Sequence, residues 1–131
     1  MGTIKLFEEF DVWKTGRDIA RRIYSLTRQE GFAGDFVLID QIRRAGISIM
    51  SNIAEGFESQ TQSVFLRYLG IAKGSAGEVR SQLYVALDQQ YLTEVEYKTI
   101  TELSMKTSRQ IANLQKYLKS RIQKNVGKLE G

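Results

Sequence analysis

Apolar residues recur at helical spacing in four separate stretches of this chain. In the first, Val12, Gly16, Ile19, Ile23 and Leu26 follow one another at intervals of four and three, and Trp13 and Ala20 widen the stripe. This predicts a helix over about 11–28, ended by Gly31-Phe32-Ala33-Gly34, since glycine readily leaves helical backbone geometry. Asp35 suits the N-cap of a second helix over about 35–55, with a seam of Ile39, Ile42, Gly46, Ile49 and Ile53. Gly56 suits the left-handed position that closes a helix.

A third helix is expected over about 62–90, opening at Thr61 or Gln62. Val64, Tyr68, Ile71, Ser75, Leu83 and Ala86 form its seam, and Phe65, Leu69, Ala72, Val79 and Leu87 extend it. Thr93-Glu94-Val95-Glu96 has the form of a capping box, in which a threonine and a glutamate each satisfy the other's backbone N–H. It opens a fourth helix over about 94–121, whose seam of Ile100, Ser104, Thr107, Ile111, Leu114, Leu118 and Arg121 advances only by threes and fours. Residues 122–131 lose the pattern and read as a basic, flexible tail. The links are short, so consecutive helices should lie side by side in opposite directions. The expected fold is all-α, an antiparallel up-down-up-down four-helix bundle over residues 1–121.

The second helix is apolar nearly all round, from Phe36, Val37 and Leu38 through Ile47, Ile49 and Met50 to Ile53 and Ala54. A helix of that kind is covered on most sides, which predicts that it packs against another subunit. Inside the third helix, Gly70, Gly74 and Gly77 each cost up to about 1 kcal/mol relative to alanine. With Ala72, Ser75 and Ala76 they form a small-residue patch that suits close approach of a neighbouring helix. Arg43 and Arg44 point in different directions, so one faces solvent while the other reaches inward, with Glu55 and Glu78 as natural partners. Gln41 and Asn52 lie three helical turns apart and share a face.

Composition narrows the chemistry. The chain has 131 residues, 42% of them hydrophobic, which suits one domain with a modest core. It contains no Cys, His or Pro. Disulfides and thiolate metal sites are therefore excluded, and so are histidine-dependent nucleophile pairs. Neither a cofactor nor a metal is expected. No apolar run approaches the roughly 20 residues of a membrane span, and the N-terminus has no signal core, so a cytoplasmic protein is expected. The net charge of +4 is uneven: Lys106, Arg109, Lys116, Lys119, Arg121, Lys124 and Lys128 face Glu130 alone, which leaves the rest of the chain slightly acidic. Such a patch attracts phosphate backbones through counterion release. Tyr117, among these cations, has the composition of a base-stacking residue.

The string Gln41-Ile42-Arg43-Arg44-Ala45, Ser48 and Asn52-Ile53-Ala54-Glu55-Gly56 resembles the four-helix-bundle proteins encoded in intervening sequences of bacterial 23S rRNA genes. So do Ile71-Ala72-Lys73-Gly74-Ser75 with Glu78, and Val12-Trp13 with Asp18. The resemblance covers residues 6–120. It implies a bundle that assembles into a ring-like homopentamer. It also implies kinship with the accessory variability protein of diversity-generating retroelements, a basic pentamer that binds reverse transcriptase and nucleic acid. Gln41, Arg43, Arg44, Asn52, Glu55, Gly56, Gly74, Ser75 and Glu78 then read as folding and assembly positions. The expected function is a non-enzymatic oligomeric module binding nucleic acid, RNA or a ribonucleoprotein, through the basic residues of the fourth helix and tail. The alternative is a protein-interaction adaptor for a reverse transcriptase or another mobile-element enzyme. A nuclease built on Glu55 and Glu78 is the third reading, and without histidine it would need a metal–carboxylate cluster.

Overall fold

In the computed structural model, four α-helices surround one core: α1 (Asp11–Thr27), α2 (Phe36–Glu58), α3 (Gln62–Asp88) and α4 (Glu94–Glu130). The structure describes residues 4–130, without the side chains of 125, 126 and 128–130. Among the described residues there is no strand, and short 3-10 turns at Phe7–Glu9 and Glu30–Phe32 precede α1 and α2. No helix of the described chain is long and apolar enough to cross a membrane.

The seams of α1 and α4 lie where their spacing predicts. Val12, Gly16, Ile19, Ile23 and Leu26 are buried on α1, and Ile100, Ser104, Thr107, Ile111, Leu114 and Leu118 on α4, with only Arg121 left outside. Ser104 and Thr107 occupy core positions without stranding a hydroxyl. Each donates back to the carbonyl one turn earlier, Ser104 to Ile100 at 2.9 Å and Thr107 to Leu103 at 3.0 Å.

The first half of the α3 seam is displaced by one residue from the expected one, while Ser75, Leu83 and Ala86 are buried as expected. Phe65, Leu69, Ala72, Ala76, Val79, Leu83 and Ala86 form the buried row, whereas Ile71 is exposed and Val64 and Tyr68 are half-buried. The buried row alternates strictly by four and three, a heptad pattern, but three of its seven members are alanines. Their small side chains carry little weight beside the bulky flanking residues.

Two helix ends also differ from expectation. Gly56 lies inside α2, which continues to Glu58, and the left-handed residue after it is Gln60 at φ 64°. Gly56 serves close approach instead: a Cβ there would stand 2.7 Å from Tyr68 Cβ and 3.3 Å from Phe65 Cα. Residues 122–130 continue α4 rather than forming a separate tail. Helix hydrogen bonds are local, no glycine interrupts the helix before Gly127, and the sequence holds no proline, so loss of the seam does not end it.

Gly70, Gly74 and Gly77 do not mediate close helix contact within the chain. A Cβ at Gly74 or Gly77 would meet nothing within 4 Å, and one at Gly70 only Gln115 Nε2 at 3.8 Å. The close approaches are at Gly16 and Gly46, where α1 and α2 cross with Ile49 and Ile23 against them, at Gly56, and most tightly at Gly31, where a Cβ would stand 2.5 Å from the Tyr91 carbonyl oxygen.

The caps at α2 and α4 follow the sequence. Asp35 Oδ1 accepts from the Leu38 N–H at 3.1 Å, and its Oδ2 accepts from the Tyr91 hydroxyl at 2.8 Å. Glu96 accepts from the Thr93 N–H at 2.9 Å while Thr93 Oγ1 accepts from the Glu96 N–H at 3.1 Å. The bond from the Thr93 N–H, helped by Gln29, holds the Glu96 carboxyl below the usual carboxylate range. A depressed folded-state pKa contributes stability above the unfolded pKa, roughly 4.3, and loses it as pH falls through the folded value. The difference in unfolding midpoint between the wild type and Glu96→Gln is therefore expected to be modest at pH 7 and to shrink as pH falls below the unfolded value through the depressed folded one.

Candidate functional site

Of the motif residues of α2 and α3, Gln41, Ser48, Asn52, Gly56 and Ser75 lie along the junction between those helices. Asn52 Nδ2 donates to the Ser48 carbonyl and to Ser48 Oγ, both at 2.8 Å. Ser48 Oγ and Ser75 Oγ are 2.8 Å apart, and Ser75 Oγ donates to the Ile71 carbonyl at 3.1 Å. Because the Ser75 proton is engaged, the Ser48 hydroxyl supplies the proton between them. The order is Asn52 to Ser48 to Ser75 to Ile71. Farther along the same junction Gln82 Nε2 lies 3.5 Å from Gln41 Oε1, a long contact, and Phe65 and Tyr68 close over Gly56. Ser75→Ala is expected to cost about 1–2 kcal/mol, because it removes both bonds of the Ser75 hydroxyl and strands the Ser48 proton, and urea unfolding would measure it.

The expected arginine–glutamate pairs do not form. Arg44 faces outward and pairs with Asp40 one turn away at 2.9 Å. Arg43 turns toward α1, where its Nε donates to Thr27 Oγ1 at 2.9 Å and its guanidinium carbon lies 4.4 Å from the centroid of the Tyr24 ring. An aromatic face and a hydroxyl thus take the place of a carboxylate. Glu55 and Glu78 are exposed on the surface. No three acidic side chains gather into a metal-binding group among the described residues.

The basic residues of α4 are exposed at Lys106, Arg109, Lys116, Lys119, Arg121 and Lys124, while the side chain of Lys128 lies outside the described residues. Among the described residues the ion pairs join Asp18 to Arg21 and Arg22, and Asp40 to Arg44, so none involves α4. The six do not converge on one groove. Lys106 and Arg109 line a cleft of about 370 Å³ that Arg22 of α1 and Glu102 share. Arg121 donates to the Tyr117 hydroxyl at 3.1 Å, at the rim of a separate cleft of about 240 Å³. The floor of that second cleft includes Phe10, Phe57 and Phe65, whose rings meet edge to face at 5.2–5.9 Å.

One basic surface escapes the charge count along the chain. Lys14, Arg17 and Arg21 on α1 and Arg28 at its C-cap are all exposed and recur at intervals of three, four and seven, on the face opposite the seam. Arg17, Arg21 and Arg28 border an open groove of about 470 Å³ between α1 and α2, with Ala20, Tyr24 and Met50 in its lining. Averaging over the whole N-terminal hundred residues hides this stripe, whereas the same helical periodicity applied to charges exposes it.

Residues 8–113 match the family described as 23S rRNA-intervening sequence protein. A solved structure from Bacteroides thetaiotaomicron VPI-5482, of a protein with unknown function from the S23 ribosomal protein family, superposes with a TM-score of 0.73 at 29% identity, covering 80% of this chain and 98% of that one. No functionally curated protein matches the chain. With the family match spanning well over half of its residues, and the same fold in a relative, this chain belongs to the 23S rRNA-intervening sequence protein family.

Proposed function

We propose that this protein is a non-enzymatic, ring-like homo-oligomer that binds nucleic acid, RNA or a ribonucleoprotein, in the cytoplasm. The carrying observation is the set of exposed α4 cations, Lys106 to Lys124, without a carboxylate in ion-pair contact among the described residues. Counterions released from a bound phosphate backbone would then drive association. The lack of His and Cys in the sequence supports a role without catalysis.

The helices run antiparallel, up-down-up-down. Supporting this, α2 residues 41, 48 and 56 meet α3 residues 82, 75 and 65 in descending order. Exposed Val37 and Ile47 on α2 and Ile71 and Val85 on α3 offer apolar surface for subunit contact. The subunit number of five follows from the family resemblance. Five chains of 15.0 kDa give about 75 kDa, which native mass spectrometry would read directly. Repetition of α4 around a ring would raise avidity.

Fluorescence anisotropy with a labelled RNA over a salt series tests the reading. Replacing the six α4 cations by glutamine should weaken binding and flatten the salt dependence by about 0.7 per lost contact for a single strand. Unchanged affinity would overturn it. The second reading, a protein adaptor such as an accessory subunit of a reverse transcriptase, is favoured by Phe36 and Val37, which are 78% and 71% exposed at the start of α2. Salt-insensitive capture of one protein after nuclease treatment would support that adaptor role.

A further inference from the structure

We propose that the groove between α1 and α2 is a binding track for single-stranded nucleic acid, separate from the α4 surface. Three features of the groove converge on that ligand. Arg17, Arg21 and Arg28 stand along its border, and no carboxylate lines it. Asp18, the carboxylate paired with Arg21 at 3.7 Å, is shared with Arg22 at 3.3 Å, so one carboxylate faces two guanidinium groups. The spacing suits a polymer: from Arg17 to Arg28, the residue that caps α1, the axis rises about 16 Å at 1.5 Å per residue, a row longer than one phosphate can bridge. A mononucleotide would engage only one end of such a row.

The second feature is Tyr24, half-buried in the groove lining with Arg43 against its ring at 4.4 Å. Arg43 is itself fixed by its bond to Thr27 and has no acid partner among the described residues. An anchored cation on one side of a tyrosine leaves a stacking platform for a base on the groove side, and stacking of this kind tolerates any sequence. The third is shape. The groove lies between neighbouring helices whose axes are typically about 8–10 Å apart. An unpaired base reaches its floor of Ala20 and Met50, whereas a duplex touches only the arginine rim.

The test uses the full chain, a fluorescein-labelled twelve-residue oligouridylate and a labelled RNA duplex of equal length, read by anisotropy from low to moderate salt. Arg17→Gln/Arg21→Gln/Arg28→Gln should weaken single-strand binding at least about tenfold and reduce the salt slope by about two, the value for three lost contacts at 0.7 each. Tyr24→Leu should weaken it about tenfold with the salt slope unchanged, as expected for lost stacking. The duplex should bind less tightly than the single strand. Retained binding in the triple-arginine variant overturns the track while leaving the α4 surface as the site, as does a duplex bound as tightly as the strand. No binding by the wild type overturns both readings. Loss in the arginine variant with binding retained in the six-residue α4 variant supports the track and removes the α4 assignment.

Discussion

Phe32→Ala is expected to cost about 3–5 kcal/mol, enough to remove much of the stability of a domain this size. Phe32 sits in the link between α1 and α2, yet none of its surface is exposed. Its ring lies 5.1 Å from that of Tyr91, in the link between α3 and α4. Tyr91 in turn donates to Asp35, the residue that caps α2. Truncation thus opens a cavity where two links and a helix cap meet, and the surrounding backbone is too constrained to fill it. Chemical denaturation followed by circular dichroism measures the loss. A cost under about 1 kcal/mol would show that the links do not depend on this ring. Phe32→Leu, which keeps most of the volume, should recover most of the stability.

Gly56→Val is expected to cost about 3 kcal/mol or more. Its Cβ would stand 2.7 Å from Tyr68 Cβ and 2.9 Å from Phe65 Cδ1, and the backbone at Phe65 Cα is only 3.3 Å away. Relief therefore requires α2 and α3 to separate, which also disturbs the edge-to-face cluster of Phe10, Phe57 and Phe65. The substitution gains helix propensity of less than about 1 kcal/mol, and overpacking of roughly 1–3 kcal/mol plus the disturbed cluster outweighs it. Gly74→Ala supplies the contrast. It adds a methyl to open space within the chain and should raise stability by up to about 1 kcal/mol. A fall at Gly74 would mean that another subunit occupies that space.

Large aliphatic residues make α1 legible from sequence, and the unbroken spacing of α4 does the same despite Ser104 and Thr107 in its seam. The first half of the α3 seam reads one residue off because Val64, Tyr68 and Ile71 outweigh Ala72 and Ala76 in any count of apolar bulk. Periodicity fixes that α3 is a helix, while the face it buries depends on which neighbour comes close. Gly56 has the local character of a stop and the tertiary role of a cradle, and only the position of α3 separates the two. The candidate sites divide likewise. Exposure of Lys106, Arg109, Lys116 and Lys119 follows from their spacing away from the seam, whereas Arg121 continues the seam's spacing and still lies outside. The α1–α2 groove needs Arg43 and Tyr24 to meet across the link between their helices, which no local pattern encodes.

The chain of bonds from Asn52 through Ser48 and Ser75 to the Ile71 carbonyl has a consequence for how the helices find their alignment. Interchangeable Ile, Leu and Ala side chains make a seam that nearly matches itself after a shift of one turn. Such a slide moves an atom about 5.4 Å and would separate the Ser48 and Ser75 hydroxyls, now 2.8 Å from each other. The bonds within each helix would survive, but the Ser48 hydroxyl would lose its partner across the junction beside an apolar seam, which raises the misaligned pair above the correct one by about 1–3 kcal/mol. The bond between two small hydroxyls thereby acts as an index mark: it forms in one alignment of α2 on α3 and is lost in the next.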